Sequence, residues 1–204
     1  MPIATQADRL VMILRKAGIA RAGELRKLGI TGTTLARAVA GGEVARISRG
    51  LYQLPGAEAD VDQSLAETAK RIPKGTICLV SALAFHGLTD QLPRTVWVAI
   101  GPKARTAKVD YPPVRFVRFR PPYLHQGIER HAIAGVKVPI YSVEKSIADA
   151  FRNSRLVDKA VAIECLRTAL KERKATPASL AQAAHENGAW TKIRPYLEAL
   201  TSDG

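Results

Sequence analysis

"TGTTLARAVAGGEVARISRGLYQLPG", residues 31–56, is the stretch that decides how the first part of the chain is read. Leu35 and Val39 are four apart, so the spacing predicts a short helix over about 33–40 that buries the face they share. Thr33, Thr34, Arg37 and Ala38 are left mainly on the other faces. Gly41 and Gly42 close the helix. Residues 43–47 and 50–54 then read as two short strands, with Ser48, Arg49 and Gly50 near the turn. The open helix face carries short side chains and one arginine, a composition that allows close approach to a wide groove. Arg46 and Arg49 put positive charge on the hairpin, where it suits a phosphate backbone or a minor groove.

Working outward, residues 5–17 show a helical period in Leu10, Ile13, Leu14 and Ala17, with Thr5 as N-cap and Asp8 in the acidic first turn. Gly18 stops that helix. "IARAGELRKLGI", residues 19–30, anchors Ile19 and predicts a short helix over about 22–28. Leu25 and Leu28 are expected to face inward, Arg26 and Lys27 outward. Three short helices, the last two joined by a tight turn, followed by a basic hairpin make the order of a winged helix-turn-helix over residues 1–58. In such a module Thr33, Thr34 and Arg37 are presented to the major groove, and Arg46, Ser48 and Arg49 make up the wing contacts. Winged modules also serve as protein-binding domains, so an interaction module with little specific DNA binding is the alternative.

The 204 residues are 47% hydrophobic and 24% charged, which is too apolar for a disordered chain and fits a globular protein. No apolar run approaches a membrane span, and the first residues lack the form of a secretory signal, so a cytoplasmic protein without a membrane partner is expected. Cys78 and Cys165 stand alone in apolar surroundings and read as buried thiols in a reducing compartment. The formal net charge of +13 favours an anionic polymer as partner. That charge is concentrated: residues 1–58 hold nine Arg or Lys against four Asp or Glu, and residues 94–137 hold nine against two.

Beyond residue 58 the pattern predicts a mixed α+β domain over 59–204. A linker leads into a helix that ends before Pro73, with Ser64 and Glu67 at capping-box spacing and Asp60 or Asp62 as alternative caps. "TICLVSALAFHGLTDQLP", residues 76–93, reads as an apolar strand or helix start followed by a helix ending at Gly87. "TVWVAI", 95–100, and "VRFVRFRP", 114–121, are strands by β-propensity. A hairpin turns near Ala134 and Gly135. Helices follow from Ser142, over 156–170, from near Pro177, and over 190–200, making a helical C-terminus beside a small sheet.

Nothing local in the sequence asks for catalysis. The four histidines form no HxxH or HExxH pattern, neither cysteine has a partner at CxxC spacing, and there is no glycine-rich phosphate loop, so no metal or cofactor is expected. "SVEKS", 142–146, has a Ser-x-x-Lys spacing, but Ser142 before an apolar periodic run reads as an N-cap. His86 reads as structural. Arg105, Lys108, Arg115, Arg118 and Arg120 form a second basic region that can add a contact to nucleic acid or a partner. Phe116 and Phe119 interleave with these cations, and period-2 patterning assigns one or both to the core.

Taken together, "GELRKLGI" (23–30), "RISRGLYQLPG" (46–56), "SALAFHGLT" (81–89) and "YSVEKSIADAFR" (141–152) resemble the AbiEi family of antitoxin-type transcriptional regulators, over nearly the full length. The wing segment is shared by many winged regulators, and its pairing with the two later segments makes the resemblance specific. The resemblance implies a repressor of its own operon that binds inverted-repeat double-stranded DNA. It implies a C-terminal domain that neutralises a nucleotidyltransferase-like toxin and adds to DNA binding, and it assigns no catalytic role. Carried over by position, the helix around Thr33, Thr34 and Arg37 reads the groove and Arg46 with Arg49 forms the wing. Glu144, Lys145 and Asp149 match the family's helix motif, for which a fold-stabilising or partner-facing role is expected. No heptad repeat supplies a dimer, so the oligomeric state stays open between a monomer and a weak dimer that pairs on DNA.

Overall fold

The structure is a computed structural model that describes residues 5–56, 62–91, 93–106, 109 and 111–202. It is mixed α+β. Among the described residues there are nine helices and eight strands in two sheets. Two compact units are present, one comprising Met1–Pro73 with His131–Val138, the other Lys74–Arg130 with Pro139–Gly204. No helix among the described residues is long and apolar enough to cross a membrane.

The first unit begins with α1 (Gln6–Ala17), closed at its start by a capping box in which Thr5 and Asp8 satisfy each other's backbone N–H. β1 (Ala20–Arg21) leads into α2 (Ala22–Lys27) and α3 (Gly32–Ala40), and the hairpin of β2 (Ala45–Ser48) and β3 (Leu51–Gln53) follows. β3 lies between β1 and β2, antiparallel to both, which is the small sheet of a winged helix. Leu10, Leu14, Ala20, Leu25, Ile30, Leu35, Ala38 and Val44 make its core. α4 (Gln63–Arg71) belongs to the same unit, so the compact body that holds residues 1–58 continues to Pro73.

Three expectations change here. Leu28 is 51% exposed, because α2 ends at Lys27 and the chain turns through Gly29 to place Ile30 in the core instead. Ala38 is buried and Val39 only partly so, which means α3 packs through an i, i+3 pair with Leu35. The capping box at Ser64 and Glu67 does not form: Asp62 holds the N-cap position, and Glu67 is buried and bonded elsewhere. Asp60 lies outside the described residues.

Gly18 shows why α1 stops where it does. Its φ of 63° favours glycine, and a Cβ there would strike the backbone carbonyl of Ala134, a residue of the same unit.

A five-stranded sheet has the order β6-β5-β4-β8-β7, formed by β4 (Thr76–Ile77), β5 (Val96–Ile100), β6 (Val114–Arg118), β7 (Ile128–Ile133) and β8 (Val136–Tyr141). β4 runs antiparallel to β5 and parallel to β8, and β5 runs parallel to β6. Every residue of β5 is buried, as its unbroken apolar run requires of a strand covered on both faces. The helices are α5 (Leu79–Phe85), α6 (Val143–Arg152), α7 (Lys159–Lys171), α8 (Pro177–Glu186) and α9 (Trp190–Thr201). α7 starts three residues later than the pattern predicts, because the Asp158 carboxylate accepts from the Ala160 N–H and sets the N-cap.

Candidate nucleic-acid interface

α3 is presented by its own cap. Thr31 is the N-cap, and its hydroxyl accepts from the Thr34 N–H at 3.2 Å. The Thr34 hydroxyl lies 2.9 Å from that of Thr31 and donates to Gln6 Oε1 at 2.6 Å. Through these bonds Thr34 holds the start of α3 against the first residue of α1. Thr33, Ala36, Arg37 and Ala40 are exposed and fall on one stripe of α3, opposite the buried Leu35 and Ala38. Ala36 lies on this exposed stripe although the residue-by-residue reading of the sequence did not single it out.

The wing is a bulged hairpin. Arg46 pairs with Tyr52, the register shifts, and Ser48 pairs with Leu51. Gly50 makes the turn at a φ of 75°. Arg46 and Arg49 are both exposed but line different clefts. Arg46 joins Arg26, Ala36, Val39 and Tyr52 around a cleft of about 450 Å³ beside α3. Arg49 lies on a second cleft of about 440 Å³ with Arg21, Arg26, Lys27 and Arg71. Ser48 is half-buried and engaged within the chain: its hydroxyl donates to Glu67 Oε2 at 3.2 Å and accepts from Arg71 Nη2 at 2.7 Å. Arg71 also donates to the Arg49 carbonyl at 3.1 Å. The wing turn is therefore tied to α4, a connection that no local pattern in the sequence announces.

The second basic region divides in the same way. Arg118 donates to the carbonyls of Gly101, Pro102 and Ala104 at 3.1, 2.9 and 2.9 Å, stapling the loop that follows β5. The Arg115 guanidinium sits 4.1 Å over the Trp97 ring. Arg105 and Arg120 are exposed, and Lys108 lies outside the described residues. Phe119 is core, 3% exposed and stacked on Tyr141 at 6.1 Å, while Phe116 is half-buried.

Several polar groups of the second unit are engaged with one another. The Ser142 hydroxyl caps α6 by accepting from the Lys145 N–H at 3.2 Å. His86 Nε2 is 2.7 Å from the Tyr141 carbonyl oxygen. Lys145 and Asp149, 1% and 0% exposed, pair at 2.7 Å, and Arg152 Nη2 reaches the same carboxylate at 2.7 Å while its guanidinium lies 4.2 Å over Tyr123. Burial pushes Asp149 up and Lys145 down, and their mutual attraction opposes both shifts. Burial also raises the Cys78 thiol well above its ordinary value and pushes Cys165 up to about 12, which disfavours the thiolate at both. Among the described residues no group of three His, Cys, Asp or Glu is placed to hold a metal ion.

Residues 8–55 match the family model described as "Transcriptional regulator, AbiEi antitoxin". Among curated proteins no sequence matches the chain. A solved structure, that of the RV2827C protein from Mycobacterium tuberculosis, aligns with a TM-score of 0.59 at 14% identity, covering 98% of this chain and 78% of that one. At that identity the likeness concerns the fold. The family-model match falls on residues 8–55, the segment that folds as helices α1 to α3 and the wing.

Proposed function

We propose that this protein is a sequence-specific DNA-binding transcriptional repressor that autoregulates a toxin–antitoxin operon and acts as its antitoxin. The observation that carries the reading is the exposed stripe of α3, Thr33, Ala36 and Arg37, beside wing residue Arg46, inside the segment that matches a regulator family. α3 enters a major groove, Arg37 and Thr33 meet base edges, and Arg46 and Arg49 hold adjacent phosphates. Thr34 and Ser48 support the interface by fixing α3 and the wing.

In this reading residues 1–58 form the DNA-binding domain and 59–204 a C-terminal domain that neutralises a nucleotidyltransferase-like toxin and lengthens the DNA footprint through Arg105 and Arg120. It works in the cytoplasm by binding, without catalysis or cofactor. Two copies pair side by side on an inverted repeat.

Binding of the purified protein to its own upstream DNA and to scrambled duplex, at two salt concentrations, tests this. Preference for the upstream fragment is expected. With six to ten phosphate contacts, affinity falls by roughly 10³ to 10⁵ between 50 and 200 mM salt. Equal weak binding to both duplexes sinks the operator reading and leaves only a basic surface.

A further inference from the structure

Arg21, Arg26, Lys27, Arg49 and Arg71 line one cleft of about 440 Å³ in the first unit, with the small residues Ala22, Gly23 and Gly50 leaving it open. Its single carboxylate, Glu24, is already engaged: it accepts from the Arg21 backbone N–H at 2.9 Å and pairs with Lys70 Nζ at 3.2 Å. Arg71 is immobilised through Nη2, and its Nε is buried with no hydrogen-bond partner among the described residues. A buried charged donor without an acceptor costs free energy, and like charges gathered round one concavity repel one another. An oxyanion in the cleft relieves the repulsion among the cations that line it. The neighbouring cleft beside α3 differs, with two arginines among mainly apolar walls and Thr31.

We propose that the Arg21–Arg71 cleft is a binding site for one phosphoryl group, gripped by Arg26, Lys27 and Arg71 with Arg49 at its rim. Guanidinium forks match tetrahedral oxyanions, and Lys27 adds a compact charge. The phosphoryl group comes either from the backbone of bound duplex or from a free phosphorylated small molecule. Only the first source rests on the DNA-binding reading above.

The test uses the full chain and the variants Lys27→Gln and Arg26→Gln, with matching thermal unfolding as the check that they fold. Inorganic phosphate and pyrophosphate are titrated at fixed ionic strength, and duplex binding is measured across a salt series. If duplex is the source, each substitution lowers the slope of log affinity against log salt by about 0.9, equally on upstream and scrambled DNA. If a free molecule is the source, pyrophosphate raises the melting temperature of the wild type and not of the variants, whose duplex slope is unchanged. Wild-type slopes in both variants together with no phosphate or pyrophosphate effect overturn the proposal. Should the wild type bind no duplex at all, the operator reading fails on its own and the pyrophosphate arm still decides the cleft.

Discussion

Arg71 Nη2 donates to the Ser48 hydroxyl at 2.7 Å, fastening the tip of the wing to the last turn of α4. A hairpin of four and three residues is marginal alone, and this bond together with the one to the Arg49 carbonyl holds it at a set angle. Ser48→Ala removes one acceptor from a charged donor, and we expect a stability loss of about 1–2 kcal/mol. Hydrogen exchange of residues 45–53 reads the looser wing. Unchanged exchange there would show that the tether does not order the hairpin.

Arg37 and Arg49 are expected to fail differently. Arg37→Ala changes the ranking of duplex sequences, with a discrimination loss of about 1–3 kcal/mol at the affected base pair. Arg49→Ala weakens every duplex alike and reduces the salt slope by about one. Competition binding against a library of single-base operator variants separates the two. Identical profiles for both variants count against the division between groove and wing.

In the second basic region, exposure does not equal availability. Arg118 holds three carbonyls of the loop after β5 through Nη1, so Arg118→Met is expected to increase proteolysis in residues 101–106 while leaving the salt slope of DNA binding unchanged. Replacing Arg105 and Arg120 together by Gln lowers that slope if this surface extends the footprint. The reverse pattern would assign the contact to Arg118.

Asp149 sits between Lys145 and Arg152 with no exposure of its own. Asp149→Ala strands a buried ammonium and is expected to cost roughly 3–5 kcal/mol in urea unfolding. The double change Lys145→Met with Asp149→Leu removes the fully buried pair and leaves only Arg152, which is 17% exposed and also lies over the Tyr123 ring, so it is expected to cost less than the single change. A double variant as unstable as the single would mean that the stranded Lys145 ammonium is not the cause and that the loss lies with the Arg152–Asp149 bond.

Cys165 titrates at about 12 in the fold against an ordinary 9.0, because burial disfavours the thiolate. A raised folded value means that its stability contribution is complete below pH 9 and is lost as pH rises from 9 towards 12. Wild-type stability is expected to fall more steeply than that of Cys165→Val, by up to about 1.4 kcal/mol per pH unit in that window. Parallel curves would place the thiol in a more polar setting. Both thiols should also resist a disulfide exchange reagent until the chain unfolds.

The elements of the winged module are legible because their signals are local. Thr5 with Asp8, the leucines of α1, Gly18 and the Gly41–Gly42 stop each act within four residues of one another, and the helices begin and end close to where those residues predict. The same holds for Ser142 as a cap, for the Ala134–Gly135 turn and for Pro177, which stands at the first position of α8. Leu28 and Ala38 are misassigned by pattern because a helix of two turns has too few residues to define its buried face. Packing against α1 decides that face for α3, and the end of α2 at Lys27 leaves Leu28 outside the core.

Charge and pattern alone determined that this chain carries a basic winged module and a mixed α+β remainder, and which cationic and hydroxyl side chains stand on the winged module's third helix and hairpin. Only the tertiary structure decided which of those are spent internally. Thr34, Ser48, Arg115 and Arg118 have partners as many as 28 residues away, and such partners leave no periodic trace. Likewise Arg21, Arg26, Lys27, Arg49 and Arg71 become one site only when α2, the wing and α4 are brought together. A hydrogen bond or a charged cleft depends on distance in space, whereas sequence records only distance along the chain.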